Sequence, residues 1–328
     1  NEYYGKDLHL LPRVYLNDGS SRLIKKENAF DSIYQTASCI RSADFNGDGF
    51  PDLFIGGRAV PWEYGKKPPS YLLANLNTKG KFVKRVLFDK KGWWNFILPC
   101  DIDGDGNIDF IAGNLGLNSR LHASDDQPVR LYYNDFDDNG KKEQVMTYYL
   151  SGKQIPFSNK AEMDRQLPIM RKRFLYAKDF AKATLDDILT SDKIETSQLL
   201  TANYFSNCML INKGNLQFTA QPLPWQAQLS SFRDAVIVDA NNDSLPDLFL
   251  VGNYYGTNIE MGRYDADYGS LLINKGNGNL AYEQLNGLTL KGQSRAVRKI
   301  HNKGKEAFVI AKNNDSAMVI RFITDQTR

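Results

Sequence analysis

The chain has 328 residues, and its 41 lysine and arginine residues nearly balance its 38 aspartate and glutamate residues, leaving a net charge of +3. This balance gives no electrostatic case for nucleic-acid binding, because a phosphate-binding surface needs an excess of basic side chains. The apolar content of 42% favours a folded globular protein. No run of about 18 apolar residues is present, which excludes a transmembrane helix in this sequence.

The first predicted element is a β-hairpin at residues 14–19, where a short apolar strand runs into an Asn-Asp-Gly turn. Similar phrases of strand and turn recur at 71–75, 131–134, 209–214 and 271–276. Their asparagines are about 60 residues apart, except for one longer interval. A repeat of this length, with about four strands per unit, predicts the blades of a β-propeller.

Residues 44–52 form the first of several acidic loops, each followed by an apolar run that ends in glycine. Oxygen-bearing side chains occupy loop positions 1, 3, 5 and 9, and a tight loop brings them around one point with the backbone carbonyl of position 7. Hard oxygen ligands of this kind suit Ca²⁺. The predicted ligands of the first site are Asp44, Asn46, Asp48, Asp52 and the carbonyl of Phe50.

Two further loops repeat this pattern between the first and second strands of a predicted blade. The second site would use Asp101, Asp103, Asp105, Asp109 and the carbonyl of Asn107. The third would use Asp239, Asn241, Asp243, Asp247 and the carbonyl of Leu245, although Ser244 replaces the turn glycine. A weaker fourth candidate, made of Asp135, Asp137, Asn139 and Glu143, falls in the other hairpin phase of the repeat. Because a strand follows each main loop and position 12 lacks glutamate, we reject an EF-hand.

The longer interval contains helical spacing of apolar residues, interrupted by Pro168, which predicts two short helices inserted in a blade at about residues 160–190. Residues 296–300, 307–311 and 318–320 predict three strands near the C-terminal end. We therefore expect an all-β fold, with one β-propeller domain over residues 1–328 and about five to seven blades. Residues 1–5 match 253–256, which follow a second strand, so we expect the chain to begin inside a blade. Either the two ends complete one blade between them, or the chain is a piece of a longer protein, which is the interpretation we favour.

The acidic loops and the apolar runs that follow them resemble FG-GAP/VCBS repeats, the calcium-binding blades of integrin-α-like propellers. The phrases at 56–61, 113–120 and 262–266 are similar to one branch, large surface proteins of Bacteroidetes that often carry an ASPIC/UnbV domain. This resemblance covers most of the chain. It implies a location outside the cell or on its outer surface, and a binding or scaffold role. An accessory role in an outer-membrane nutrient-uptake complex with a TonB-dependent transporter fits this branch.

A partner surface is predicted on the face opposite the calcium loops, where the blade topology collects tryptophan, tyrosine and arginine, the usual anchors of binding surfaces. The candidates are Arg58, Trp62, Trp93, Trp94, Arg120, Trp225, Arg263 and Tyr264. The partner would be a protein or a glycan at the cell surface. The competing interpretation is that these aromatic residues only pack long loops onto the disc.

No catalytic residue is predicted, because the three histidines, His9, His122 and His301, are scattered and match no zinc or triad pattern. The alternative function is a carbohydrate-active enzyme, a lyase or hydrolase working on the tryptophan face. It would need an acid/base pair there, for which Glu260, Asp265 and Asp267 are the candidates.

Overall fold

The computed structural model describes residues 12–30, 36–59, 70–75, 82–85, 90–302 and 304–323. These ranges contain antiparallel strands in six sheets, so the predicted all-β class is confirmed. The first sheet is a hairpin of β1 (Val14–Asn17) and β2 (Leu23–Lys26). Sheet I then runs in chain order through β3 (Thr36–Ala43), β4 (Asp52–Ala59), β5 (Tyr71–Ala74) and β6 (Val83–Arg85).

Sheet II begins with β7 (Phe96–Cys100) and β8 (Asp109–Gly113), and is completed much later in the chain by β13 (Cys208–Asn212) and β14 (Phe218–Pro222). Everything between β8 and β13 therefore lies in a long insertion at the connection between the second and third strands.

The insertion has a sheet and helices of its own. The strands of the insertion sheet are β9 (Val129–Asn134), β10 (Glu143–Leu150), β11 (Lys153–Pro156) and β12 (Gln198–Ala202). The helices are α1 (Lys160–Gln166), α2 (Met170–Arg173), α3 (Ala177–Phe180), α4 (Leu185–Leu189) and α5 (Ser191–Glu195). The predicted break at Pro168 is confirmed, since it lies between α1 and α2, but the segment holds five short helices where two were expected. Among the described residues, no helix has the length and apolarity needed to cross a membrane.

The insertion also corrects the predicted repeat. Residues 131–134 were expected to be a blade strand equivalent to 71–75, whereas they belong to the insertion sheet. The long interval therefore contains a four-stranded sheet as well as helices. The helices pack on the insertion sheet through a separate apolar cluster that includes Tyr132, Val145, Met163 and Ile188.

Sheets III and IV follow the insertion in chain order. Sheet III contains β15 (Phe232–Val238), β16 (Asp247–Gly252), β17 (Ser270–Asn274) and β18 (Leu280–Glu283). Sheet IV contains β19 (Ser294–Asn302), β20 (Lys305–Lys312) and β21 (Met318–Ile320), which confirms the three strands predicted near the C-terminal end.

Sheets I to IV are neighbours through their first strands, because β3 contacts β7, β7 contacts β15, and β15 contacts β19. The apolar faces of neighbouring sheets meet between these strands. Phe96 of sheet II, for example, lies in one cluster with Phe232 and Leu250 of sheet III. First strands side by side are what successive propeller blades require. The closed ring of blades stays a prediction.

The glycine that ends each apolar run has a packing reason in sheets II and III. A Cβ atom on Gly113 would lie 2.2 Å from the ring of Phe96, and one on Gly252 would lie 2.6 Å from the carbonyl oxygen of Ser231. Any side chain at either position would push the first strand away from the second.

The turn asparagines also join neighbouring sheets. Asn212 Nδ2 donates to the carbonyl oxygen of Phe45 at 3.1 Å, and Asn274 Nδ2 donates to that of Ile102 at 2.8 Å. Phe45 and Ile102 are the second residues of acidic loops in the preceding sheet. Each of these asparagines therefore ties its own strand to the acidic loop of a neighbour.

Candidate functional site

Four acidic loops join pairs of antiparallel strands. Residues 44–52, 101–109 and 239–247 connect the first and second strands of sheets I, II and III, as predicted. Residues 135–143 connect β9 and β10 of the insertion sheet. The fourth candidate lies in the insertion sheet, outside the hairpin phase of the three main loops. Its loop also joins two paired strands and has the same internal hydrogen bonds.

Position 1 organises each loop by accepting hydrogen bonds from backbone N–H groups. Its Oδ2 atom accepts from the amide of position 6 in all four loops, for example from Gly49 to Asp44 at 2.8 Å and from Gly140 to Asp135 at 2.8 Å and likewise in the other two loops. Position 6 has positive φ throughout, which glycine adopts without strain. Ser244 of the third loop is the one residue at this position that is not glycine, and its φ is 67°.

Position 9 is buried in all four loops, and in the three main loops it joins the loop and the second strand to the third strand. In the fourth loop, Glu143 accepts from the backbone N–H of Phe136 at 3.1 Å. Asp109 accepts from the backbone N–H of Ile102 at 3.0 Å and from that of Asn212, on the third strand, at 2.8 Å. Asp52 and Asp247 make the equivalent pairs of bonds. The carboxylate therefore fixes the loop, the second strand and the third strand in one arrangement.

Burial raises the pKa of all four position 9 carboxyl groups, and nearby loop aspartates raise it further. The pKa of Asp109 rises to about 6, chiefly because the group is removed from water, while its backbone hydrogen bonds lower it in part. Asp52, Asp247 and Glu143 shift in the same direction for the same first reason. A cation beside these groups would favour their ionised form.

Carboxylate oxygens converge most closely in two of the loops. One atom from each of Asp101, Asp103 and Asp109 lies within 4.8 Å of the others, and the same holds for Asp135, Asp137 and Glu143. In this last cluster Asp137 Oδ1 is buried and has no hydrogen-bond partner among the described residues. A buried carboxylate oxygen without a partner, on a residue of a converging carboxylate cluster, is compatible with cation binding.

The remaining two loops have asparagine at position 3. Asn46 Nδ2 donates to the Asp48 carboxylate at 2.9 Å, and Asn241 Nδ2 donates to Asp243 at 2.7 Å. Each amide therefore offsets part of the repulsion between the carboxylates of its own loop.

The position 7 residues close each main loop. The N–H groups of Phe50, Asn107 and Leu245 donate to the position 5 carboxylates at 2.9, 2.8 and 2.9 Å.

The donor set of these loops fits Ca²⁺. It consists of carboxylate and amide oxygens on a tight backbone, without the sulfur or imidazole ligands that favour zinc. The fourth loop has one additional feature: Lys193 Nζ donates to the Asp135 carbonyl at 2.8 Å and pairs with Asp138. The ammonium group thus ties α5 to the loop.

The predicted partner residues spread over several environments. Trp93 and Tyr264 line one cavity. Trp94 packs beside Tyr204, and Trp225 is 69% exposed on a 3-10 helix. The Arg120 guanidinium lies 5.0 Å from the centroid of the Tyr148 ring and 4.9 Å from that of Phe157, while Arg263 lies over the Tyr255 ring. Trp62 lies outside the described residues, as does the side chain of Arg58, whose backbone belongs to β4.

The cavity has a volume of about 240 Å³ and lies at the ends of sheets II and III away from the acidic loops. Asn114 helps to build it, because its Oδ1 atom accepts from the Trp93 amide at 2.9 Å. Asn95 donates to the Asn114 carbonyl at 2.8 Å and accepts from Arg233 Nη1 at 2.7 Å. We call this space the Arg233 cavity.

Sequence reasoning missed Arg233 and Asn95. The available signal was weak: Arg233 and Arg295 occur at the starts of successive first strands, as Ser-Phe-Arg and Gln-Ser-Arg. Each arginine lies at a β-bulge, where the register skips one residue of the first strand. Bulges often redirect side chains beside functional sites.

Of the three acid/base candidates, the structure describes the side chains of Asp265 and Asp267. Asp267 is 3% exposed, and its two oxygens accept from the Gly252 and Gly269 amides and the Ser270 hydroxyl, which makes it a structural group. Asp265 is exposed, and the side chain of Glu260 lies outside the described residues.

No protein-family model matches the chain, and no curated protein matches it in sequence. Among solved structures, a lectin of Agrocybe aegerita, studied for its recognition of non-reducing terminal N-acetylglucosamine, matches with 14% identity and a TM-score of 0.19. The alignment covers 87% of this chain and 81% of the lectin. A TM-score this low carries no argument about fold or function.

Proposed function

We propose that this chain is a calcium-stabilised binding module of β-propeller type, with metal in its acidic loops and a partner surface at the opposite ends of the sheets. The observation that carries the proposal is the convergence of carboxylates in the loops, above all the buried, unpartnered Asp137 Oδ1 beside Asp135 and Glu143. Three carboxylates held this close repel one another unless a cation lies between them.

The proposed role of the metal is structural. Ca²⁺ would neutralise the loop carboxylates, while position 9 of the same loop joins the loop, the second strand and the third strand through backbone hydrogen bonds, as Asp109 does. The resemblance to FG-GAP/VCBS repeats supports calcium and a surface or secreted location. Loops of extracellular modules bind Ca²⁺ with dissociation constants of about 10⁻⁴–10⁻³ M, which suits the medium outside a cell.

The proposed partner is a protein or a glycan at a bacterial surface, in keeping with an accessory of an outer-membrane uptake complex. The Arg233 cavity supports this role, because aromatic and arginine side chains are the groups that most often anchor a partner.

The direct experiment is a Ca²⁺ titration by isothermal calorimetry of the wild type, Asp137→Asn and the matched control Asp138→Asn. Both substitutions remove one negative charge from the same loop. Asp137 belongs to the converging cluster, whereas the Asp138 side chain is 81% exposed and pairs with Lys193.

We expect Asp137→Asn to lose one binding site or to weaken it more than about 10-fold, because a charged ligand is removed. Asp138→Asn should keep the wild-type stoichiometry. Equal weakening in both variants, or no heat of Ca²⁺ binding in the wild type, would contradict the proposal.

A further inference from the structure

The Arg233 cavity lies where sheet II, sheet III and the insertion meet. Aromatic and apolar side chains form most of its wall, including Trp93, Phe157 and Tyr264. Polar side chains that can donate or accept, such as Ser231 and Thr257, line the same space. This combination suits a small ligand that has both a ring face and hydroxyl groups.

Arg233 brings an unneutralised positive charge to this wall. Its Nη1 donates to Asn95, but its Nε is buried and has no hydrogen-bond partner among the described residues. The guanidinium carbon lies 4.2 Å from the centroid of the Tyr254 ring, and that of Arg295 lies 5.7 Å from the same centroid. Two cations therefore share one aromatic ring.

The charge of Arg233 is maintained despite this crowding. Burial, followed by the positive charge of Arg295, lowers the pKa of Arg233 to about 10, which still leaves the group charged at neutral pH. No described lining residue is acidic. Glu162 contacts the lining at Asn258, with 3.3 Å between Oε1 and Nδ2. Partial burial of a cation whose N–H donor has no acceptor costs free energy, and an anion beside the cation would offset this cost.

Both arginines owe their position to the same backbone irregularity. A β-bulge in β15 and another in β19 leave Arg233 and Arg295 out of the cross-strand register. The two bulges lie at corresponding places near the starts of adjacent first strands, so the pairing of two positive charges is built into the backbone.

We infer that the Arg233 cavity binds a carboxylate-bearing sugar, a single hexuronic acid residue, with its carboxylate on the guanidinium and its ring against the aromatic wall. The planar guanidinium of an arginine presents its N–H donors as a fork that matches a carboxylate. The volume of about 240 Å³ lies below the range of about 300–1,000 Å³ typical of drug-sized ligands, which fits one small ring. This inference rests on the proposed binding role and specifies its ligand class.

The test measures binding of D-galacturonate and D-glucuronate, their methyl esters, and acetate to the Ca²⁺-supplemented protein by ligand-observed NMR and calorimetry. The variants are Arg233→Met, Arg233→Lys and the charge-matched control Arg171→Met. Arg171 is exposed on α2, away from the cavity lining. Circular dichroism and melting curves show whether each variant is folded.

We expect at least one uronate to bind the wild type, and its methyl ester to bind about 10- to 100-fold more weakly, because a charge-assisted hydrogen bond is lost. Arg233→Met should lose as much affinity, Arg233→Lys should lose part of it, and Arg171→Met should lose none. Acetate should bind far more weakly than the uronate, since it leaves the aromatic wall empty.

Equal binding of acid and ester, or no binding of either uronate at millimolar concentration, would overturn the inference. Acetate binding as tightly as the uronate would also overturn it by reducing the site to a simple anion site. Failure of the proposed calcium binding can be told apart from failure of uronate binding. It would show as an unaltered Ca²⁺ titration in Asp137→Asn, an experiment that does not involve the cavity.

Discussion

The turn asparagines provide the clearest contact between sheets at the level of single residues. Asn274 is 1% exposed, and its amide donates to the carbonyl of Ile102 in the neighbouring acidic loop at 2.8 Å. Asn17 occupies the same turn phrase in the first hairpin, but it is exposed and accepts only a local bond from Gly19 among its described contacts.

We predict that Asn274→Ala lowers the free energy of unfolding by about 1–3 kcal/mol, because a buried carbonyl loses its donor. Asn17→Ala should cost less than about 0.5 kcal/mol, as is usual for an exposed position. Urea denaturation in Ca²⁺ buffer measures both values. Equal losses in the two variants would contradict an intersheet role for this asparagine.

Ser244 stores backbone strain in the third acidic loop, since it adopts φ of 67° where the other loops have glycine. We predict that Ser244→Gly raises the free energy of unfolding by about 0.5–1 kcal/mol, because only the backbone hydrogen bond to Asp239 needs to be kept. Ser316→Gly is the control, as Ser316 is exposed and lacks positive φ. Thermal denaturation should show a gain for Ser244→Gly and none for Ser316→Gly.

The position of the acidic loops between paired strands could be predicted from sequence, because their turn geometry depends on spacing within nine neighbouring residues. The cavity could not be predicted in the same way. Arg233, Asn95 and Tyr254 are far apart in the chain, and two β-bulges and an insertion decide where they meet.

At the level of elements, the connection between β16 and β17 depends on a buried acid. Burial raises the pKa of Asp267 to about 6, while its three hydrogen bonds lower it in part. In the pH range from about 4 to 6 the folded chain keeps a proton that the unfolded chain has released. The stabilisation from protonated Asp267 is therefore complete below about pH 4 and lost as the pH rises through about 6.

We predict that the free energy of unfolding of the wild type, minus that of Asp267→Asn, falls by roughly 3 kcal/mol between pH 4 and pH 7. Asparagine has the same shape and does not titrate, so other groups cancel in the difference. Denaturation curves at several pH values give this quantity. A difference that is constant with pH, or that rises with pH, would contradict the buried acid.

The insertion has a core of its own, which predicts that it can be loosened separately. Met163 of α1 is fully buried in the cluster between the helices and the insertion sheet. Met163→Ala should lower the opening free energy of amides in α1 and α4 by about 2–5 kcal/mol, while amides of sheet III keep their protection. Hydrogen exchange with mass spectrometry measures this, with the exposed Lys172→Ala as the control. Loss of protection spread evenly over both regions would contradict a separate core.

The strands of sheets I, III and IV could be predicted from their alternation and turn residues, but the boundaries of the insertion could not. Residues 131–134 have the same apolar run and asparagine as true third strands. Their different role is set by pairing: β8 pairs with β13, nearly a hundred residues along the chain, instead of with the next strand. Local sequence carries no signal for such a choice.

At the level of the whole molecule, the first strands of four sheets are neighbours, acidic loops extend from one end of the strand pairs, and the Arg233 cavity lies at the other. The net charge of +3 therefore conceals an uneven distribution of acidic side chains between the two ends. Carboxylates crowd the loops, whereas no described residue lining the cavity is acidic. The proposed metal at one end and the proposed anionic ligand at the other would account for this uneven distribution.

We propose that Ca²⁺ stabilises the fold by binding these loops. The most direct measurement is the melting temperature in millimolar Ca²⁺, after addition of excess chelator, and after Ca²⁺ is restored. A ligand that binds only the folded state stabilises it by about 2.7 kcal/mol per site at a concentration 100-fold above its dissociation constant. We predict that the chelator lowers the melting temperature by about 5 °C or more and that Ca²⁺ restores it. An unchanged melting temperature after complete removal of divalent metal would contradict the account.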